Sequence, residues 1–203
     1  PLECSHLYLA IEGKLAAVIC VEDPLREEAA DAVRELKEAG ITKVVMMTGD
    51  SERTAAAIAK RVGVDEYYSE VLPEDKASFV EKEKELGHKV IMIGDGINDS
   101  LALSSASVGI AISDGAAIAR EIADVTISAD NLHEIVTLKR LSTALMKRIH
   151  NNYRTIIGIN GGLIALGVTG IIMPTTSALL HNMSTLTISL RSMRNLLPKE
   201  EKA

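Results

Sequence analysis

The chain has 203 residues, enough for one α/β domain of ordinary size with a further segment appended. Its formal net charge of −6, with one Phe, four Tyr and no Trp, offers neither a basic surface nor stacking platforms, which argues against nucleic acid as a partner. Cys4 and Cys20 are too few for a disulfide framework and too far apart for a CxxC site, so a reducing compartment with both as small apolar fillers is expected.

The sequence opens at Pro1 with neither an initiator methionine nor a signal segment, and reads as part of something longer. The apolar runs 7–11 and 15–21, separated by Glu12-Gly13-Lys14, predict a hairpin or two consecutive strands. Pro24 then opens a helix over 25–39, with Ala29, Val33 and Leu36 at helical spacing and Gly40 as its stop. From there strand and helix signals alternate. Strand 43–47 precedes helix 52–62, an extended piece at 67–71 precedes helix 74–86, and strand 89–93 precedes helix 98–104. A strand at 108–112, a helix at 116–122 and a strand at 125–127 complete the alternation, which predicts a parallel sheet flanked by helices.

After Asn131 the pattern changes. A helical stretch to about Asn152 carries Lys139, Arg140, Lys147 and Arg148, and after Arg154 the nineteen residues 155–173 hold no charge. As a helix they extend about 28 Å, close to the hydrocarbon thickness of a bilayer. Pro174 marks a turn into the uncharged, Ser- and Thr-rich stretch 174–190. There Ser177, His181 and Ser184 share one helical face and Leu179, Met183, Leu186 and Leu190 another, as suits a helix packed inside a membrane bundle. Basic residues on both flanks put both ends of this hairpin in the cytoplasm. A buried soluble helical hairpin is the alternative.

Three segments carry candidate chemistry. Gly94-Asp95-Gly96-Ile97-Asn98-Asp99 follows the apolar run 90–93, and such loops at the carboxyl ends of parallel strands are where open α/β folds bind ligands. Two carboxylates with a carboxamide there suit a hard cation such as Mg²⁺, the bland alternative being a turn with a helix cap. Thr48-Gly49-Asp50 stands in the same position after the run 44–47, where a hydroxyl and loop amides suit a phosphoryl group. In Leu72-Pro73-Glu74-Asp75-Lys76, an ordinary helix start, the Lys76 cation is mildly disfavoured at a helix N-terminus and would be useful against phosphate. Asp23-Pro24 reads as a plain helix cap.

In this order and at these separations, Asp23-Pro24, Thr48-Gly49-Asp50, Pro73-Glu74-Asp75-Lys76 and Gly94 to Asp99 resemble the second half of the phosphorylation domain of P-type ATPases. With Val108-Gly109-Ile110-Ala111-Ile112, the block is most similar to the heavy-metal-transporting branch, from about Leu7 to Leu197. The resemblance implies an incomplete haloacid-dehalogenase-like parallel sheet with flanking helices, followed by a two-helix transmembrane hairpin. Residues 1–12 would be the tail of a nucleotide-binding domain, 13–146 the phosphorylation domain, 147–197 the hairpin and 198–203 a tail. By the same resemblance Thr48, Gly49, Asp50 and Lys76 would be catalytic, with Thr48 and Lys76 on an aspartyl phosphate, Asp50 and Asn98 supporting the nucleotide and phosphate end, and Asp95 and Asp99 holding Mg²⁺. ATP and Mg²⁺ would be the cofactors of the full-length parent. Membrane lipid, the transported cation and the missing amino-terminal part of the pump would be its partners, in a multi-pass protein of the bacterial plasma membrane.

One departure is large: the family's nucleophile lies in an Asp-Lys-Thr-Gly-Thr stretch, and none occurs here. The chain alone is therefore expected to be inactive, and a sheet deprived of that strand is expected to expose two unpaired edges and to fold poorly. In the family the last membrane helix contributes to the transport site, where this chain has His181-Asn182-Met183-Ser184-Thr185. Imidazole with amide and hydroxyl oxygens points to zinc, cadmium or cobalt rather than copper, with His181, Asn182 and Asn160 as candidate ion ligands. Two other readings stay open: a phosphatase of the haloacid dehalogenase type, and a non-enzymatic membrane remnant that regulates a complete pump.

Overall fold

The computed structural model describes residues 5–21, 24–94, 98–112, 121–127 and 131–197. The chain divides into two compact units, residues 1–136 and 137–203. The first is an α/β unit. It begins with an antiparallel hairpin, β1 (Ser5–Ile11) and β2 (Lys14–Val21), closed by a two-residue turn at Glu12 and Gly13, both at positive φ. Cys20, opposite His6 in this hairpin, is disulfide-bonded. That corrects the expectation of a free apolar thiol at Cys20. The chain's other cysteine, Cys4, lies outside the described residues.

Helix α1 (Ala29–Glu38) starts four residues later than Pro24 suggested, after a turn in which the Ala29 amide donates to the Arg26 carbonyl. It leads to β3 (Val45–Met47), α2 (Glu52–Val62), β4 (Glu66–Tyr68), α3 (Pro73–Glu85), β5 (Ile91–Gly94), α4 (Ser100–Ser105), β6 (Val108–Ile112) and β7 (Val125–Ile127). Local chemistry sets the boundaries. Gly63 closes α2 in the left-handed conformation, and Pro73 opens α3 while the Asp75 carboxylate accepts from the Leu72 amide. The expected helix at 116–122 lies mostly outside the described residues.

All strand pairing after the hairpin is parallel, but the sheet is in two pieces. Strands β3 and β4 pair with each other, while β5, β6 and β7 form a separate ladder with β6 in the middle. Among the described residues, β3 and β5 therefore each have one paired and one open edge. Burial follows from this division. Only β6 carries a buried run, through Ile110 and Ala111, whereas β3 is half-buried throughout and Ile91 of β5 is 41% exposed. The apolar runs at β3 and β5 thus look like interior strands in sequence yet lack the neighbour that would bury them.

The core is built from small side chains at helical spacing. Ala29 and Ala32 of α1, with Ala55, Ala59 and Val62 of α2, are buried, as are Val80 of α3 and Ala102 and Leu103 of α4. Helix α4 packs closely on β6 at Gly109, where a Cβ would lie 2.6 Å from the Leu103 carbonyl oxygen.

The second unit is a helical hairpin made by α5 (His133–Val168), whose first turn contributes buried Ile135 and Val136 to the first unit, and α6 (Pro174–Ser192). From Ala144 on, its half-buried helical positions mix polar and apolar side chains: Ala144, Arg148, Asn152, Ile159, Asn160 and Leu163 on α5, with Ser177, Ser184, Ile188 and Ser192 on α6. The apolar face of α6 points away, with Leu179, Met183, Leu186 and Leu190 all more than half exposed. No described helix is long and apolar enough to cross a membrane. The uncharged run 155–173 is divided by a Schellman turn, in which Ile171 N donates to Leu166 O and Gly170, at φ +73, donates to Gly167 O. The helix therefore stops at Val168, six residues before the proline that marked the turn in sequence.

Candidate functional site

Two of the segments singled out in sequence lie at the carboxyl ends of β3 and β5, each of which has an open edge among the described residues, and the third follows β4 at the start of α3. After β3, the Thr48 amide donates to the Tyr68 carbonyl and the Val71 amide to the Thr48 carbonyl, so the loop is pinned along the segment leaving β4. The Glu70 amide donates to the Asp50 carbonyl, and Glu70 itself sits at φ +52, strained for a residue with a Cβ. Within the loop the Thr48 hydroxyl donates to Asp50 Oδ2 at 2.7 Å and accepts from the Asp50 amide at 3.1 Å. Thr48 is half-buried, whereas Gly49 and Asp50 are exposed.

At the start of the following helix, Glu52 accepts hydrogen bonds from the Ser69 hydroxyl at 2.6 Å and the Tyr67 phenol at 2.7 Å. These donors, Ser69 first, hold its carboxyl below the usual range, and the same contact raises the Tyr67 phenol. Neither Glu52 nor Glu70 stood out in sequence. A carboxylate in the first helical turn is ordinary there, and the β4 donors that make it a brace for the Thr48 loop are distant in the chain.

After β5, the Asp99 carboxylate lies directly over Gly94. A Cβ at Gly94 would come within 2.7 Å of Asp99 Cβ and 2.9 Å of Cγ, and closer still to Oδ2. Glycine at this position is what lets the acid settle on the strand end. Asp99 is the buried charged residue of the described core, and its Oδ1 accepts from Lys76 Nζ at 2.7 Å, with side-chain exposures of 12% and 15%. Lys76 reaches it from the first turn of α3, the helix that follows β4. The pair thus ties the β3–β4 piece to the β5–β6–β7 piece, assisted on the α3–α4 flank by Ser105 donating to Glu81 and Lys84 donating to the Ser105 carbonyl.

The structure accordingly brings Lys76 to Asp99 and Thr48 to Asp50, and shows no hydrogen bond between these two pairs among the described residues. Asn98 is exposed at the start of α4. Asp95 and Asp23 lie outside the described residues. Among the described residues no three His, Cys, Asp or Glu side chains converge to hold a metal ion. The donor chemistry that is present, a desolvated carboxylate at Asp99 beside the Asn98 carboxamide, suits the hard oxygen preference of Mg²⁺.

In the hairpin, His181 Nδ1 lies 2.8 Å from Asn160 Oδ1, across a groove lined also by Leu163, Ile164, Ser177 and Asn182. An amide oxygen only accepts, so Nδ1 is the donor in this contact. Two of the residues expected at the ion site, Asn160 and His181, are therefore in contact, and Asn182 lines the same groove.

Residues 4–107 match the family model for haloacid dehalogenase-like hydrolases. The chain is 37% identical over 189 residues to the zinc-exporting P-type ATPase of Mycobacterium marinum, covering 93% of this chain and 26% of that protein. It is 44% identical over 176 residues to copper-transporting ATPase 2 of Rhizobium meliloti, covering 87% and 21%. To the manganese-exporting P-type ATPase of Mycobacterium tuberculosis it is 38% identical over 189 residues, covering 93% and 26%. Among solved structures, a zinc-transporting PIB-type ATPase in the E2.Pi state superposes with a TM-score of 0.85 at 31% identity, covering 97% of this chain and 32% of that one. The chain spans about a quarter of the length of the curated relatives it matches.

Proposed function

The chain belongs to the haloacid dehalogenase-like hydrolase family, and we propose that it is part of an ATP-driven heavy-metal cation pump that works through an aspartyl-phosphate intermediate. The observation that carries this reading is the interrupted sheet. The Thr48-Gly49-Asp50 loop and the Lys76–Asp99 pair stand at the carboxyl ends of two strands that do not pair with each other, and the sequence contains no Asp-Lys-Thr-Gly-Thr nucleophile. One strand entering parallel between β3 and β5 would satisfy both open edges and deliver its carboxyl-terminal aspartate between the two loops.

In that arrangement the Thr48 hydroxyl and the loop amides donate to the phosphoryl oxygens, with Asp50 orienting the hydroxyl. Lys76, held by Asp99, presents its charge where negative charge accumulates. Asp99, with Asn98 and Asp95, would hold Mg²⁺, which when bound neutralises phosphoryl charge. Residues 1–203 by themselves then do not turn over ATP. The hairpin is the pump's last pair of membrane helices, with both ends cytoplasmic in a bacterial plasma membrane; its outward apolar face awaits lipid or further helices.

For the cargo, imidazole nitrogen and amide oxygen at His181, Asn182 and Asn160 favour zinc, cadmium or cobalt over copper(I). The relatives' names span zinc, manganese and copper, and the donor set is what supports zinc among them.

The upstream reading frame tests the proposal: it should encode Asp-Lys-Thr-Gly-Thr in frame, and its absence would sink the pump reading. Transport by the complete pump should then lose zinc dependence on His181→Ala while phosphorylation by ATP persists. Unchanged zinc transport would remove the hairpin groove from the ion path.

A further inference from the structure

The strongest chemistry outside these sites lies where the hairpin closes. Arg148 on α5 donates through Nη1 to the carbonyls of Ser192, at 2.8 Å, and Arg194, and through Nη2 to that of Asn195 at 3.0 Å. Asn152, one turn on, donates to the Ser192 hydroxyl at 2.7 Å. The carbonyls at the carboxyl end of α6, the negative end of its dipole, are thus already satisfied by a cation from the neighbouring helix.

Around this clasp is a concave groove lined also by Lys147, Asn151, Arg191 and Arg194. Spacing explains the convergence: Lys147 and Asn151 are one turn apart on α5, and Arg191 and Arg194 one turn apart at the end of α6. Among the described residues none of the Lys147, Arg191 and Arg194 side chains has an ion-pair partner. Residues 137–197 contain seven Lys or Arg and no Asp or Glu, within a chain whose net charge is −6. Three like charges gathered in one concavity repel one another unless an anion joins them. Next in sequence to the groove's cations, Met146, Ile149, Leu190 and Met193 are 48–81% exposed, an apolar set that can serve as a collar to a bound headgroup.

We propose that this groove binds a phosphate anion, with Lys147, Arg191 and Arg194 as its charge partners and Asn151 as a neutral donor, and that the phosphate is the headgroup diester of an anionic phospholipid. Guanidinium groups match phosphate oxygens in pairs, and the collar is where acyl chains would lie. A free phosphate shares the anion chemistry but gains nothing from the collar. The proposal rests on reading α5 and α6 as a membrane hairpin, and it locates the lipid contact that fixes the cytoplasmic end of that hairpin.

The test uses the full 203-residue chain in neutral detergent, with bound lipid counted by native mass spectrometry. Phosphatidylglycerol should be retained over phosphatidylcholine by tenfold or more. The double variant Lys147→Gln/Arg194→Gln should bind it roughly thirtyfold more weakly, at about fivefold per cation. Lys139→Gln/Arg154→Gln, which removes the same charge outside the groove, should bind as the native chain does. Arg191→Gln provides a second groove variant should the double variant fold poorly.

Displacement of the lipid by millimolar inorganic phosphate would assign the site to the bare anion, and resistance to it would assign it to the lipid. Equal retention of the two lipids, or equal loss in both double variants, would overturn the groove while leaving the membrane hairpin standing. A chain that stays soluble without detergent yet binds inorganic phosphate through Lys147 and Arg194 would overturn the membrane reading and the lipid assignment, leaving only the anion site.

Discussion

Lys76 and Asp99 offer the most quantitative handle on the α/β unit. Their charged atoms are 2.7 Å apart with side chains 15% and 12% exposed. At an effective dielectric of about 20 their attraction is roughly 6 kcal/mol. Desolvating each ion costs several kcal/mol, so the intact pair is worth little relative to two apolar side chains of the same volume. Removing one partner is another matter, since it strands a buried charge and costs about 3–5 kcal/mol. Lys76→Met and Asp99→Leu should each destabilise by about that amount. The double variant should fall within about 2 kcal/mol of the native chain, a coupling of about 3 kcal/mol or more. Hydrogen exchange at the Leu103 and Val80 amides, both in fully buried residues, reads the opening free energy of this unit. If either single variant costs under about 1 kcal/mol, or the two add within about 0.5 kcal/mol, the pair does not join the two pieces of the sheet.

Acid should loosen the β3–β4 piece. The Lys37 ammonium, then the Val44 amide, hold the Asp65 carboxyl below its ordinary 3.8, and Ser69 and Tyr67 hold Glu52 below 4.5. Both groups bind fewer protons folded than unfolded, so their contribution is complete above those ordinary values and is lost as pH falls through the depressed ones. Asp65→Asn should flatten the fall in urea midpoint below about pH 4, and an unchanged slope would refute the assignment. Gly94→Ala should cost about 1–3 kcal/mol and displace Asp99, read as lost exchange protection at Leu103; an unchanged Leu103 would mean the acid does not rest on the glycine. Glu12→Asn, at φ 50 ahead of Gly13 at φ 77, should stabilise the β1–β2 hairpin by up to about 1 kcal/mol in amide protection.

Much of this was legible in the residues, for identifiable reasons. Helix α2 spans the expected 52–62, and α3 opens at Pro73 as its helix-start segment indicated, because caps and starts are local chemistry. The open edges of β3 and β5 were implied by a missing motif rather than by any residue present. Three features were not legible. The stop at Gly170 depends on a backbone conformation that an uncharged run does not announce. The Lys76–Asp99 pair joins positions 23 apart, and each alone looked like an ordinary surface or cap residue. The bond at Cys20 was not legible because a count of two cysteines speaks only against a disulfide framework.

The central claim is that residues 1–203 hold part of an aspartyl-phosphate site whose nucleophile enters on a strand from outside them. Incubating the chain with Mg²⁺ and radiolabelled ATP, alone and together with a separately produced upstream part of the parent bearing Asp-Lys-Thr-Gly-Thr, tests it directly. The account predicts no covalent label on this chain in either case, and a hydroxylamine-sensitive label on the upstream part only when the chain is present and Lys76 is intact. A covalent label on any aspartate of residues 1–203, or equal labelling of the upstream part without the chain, would contradict it.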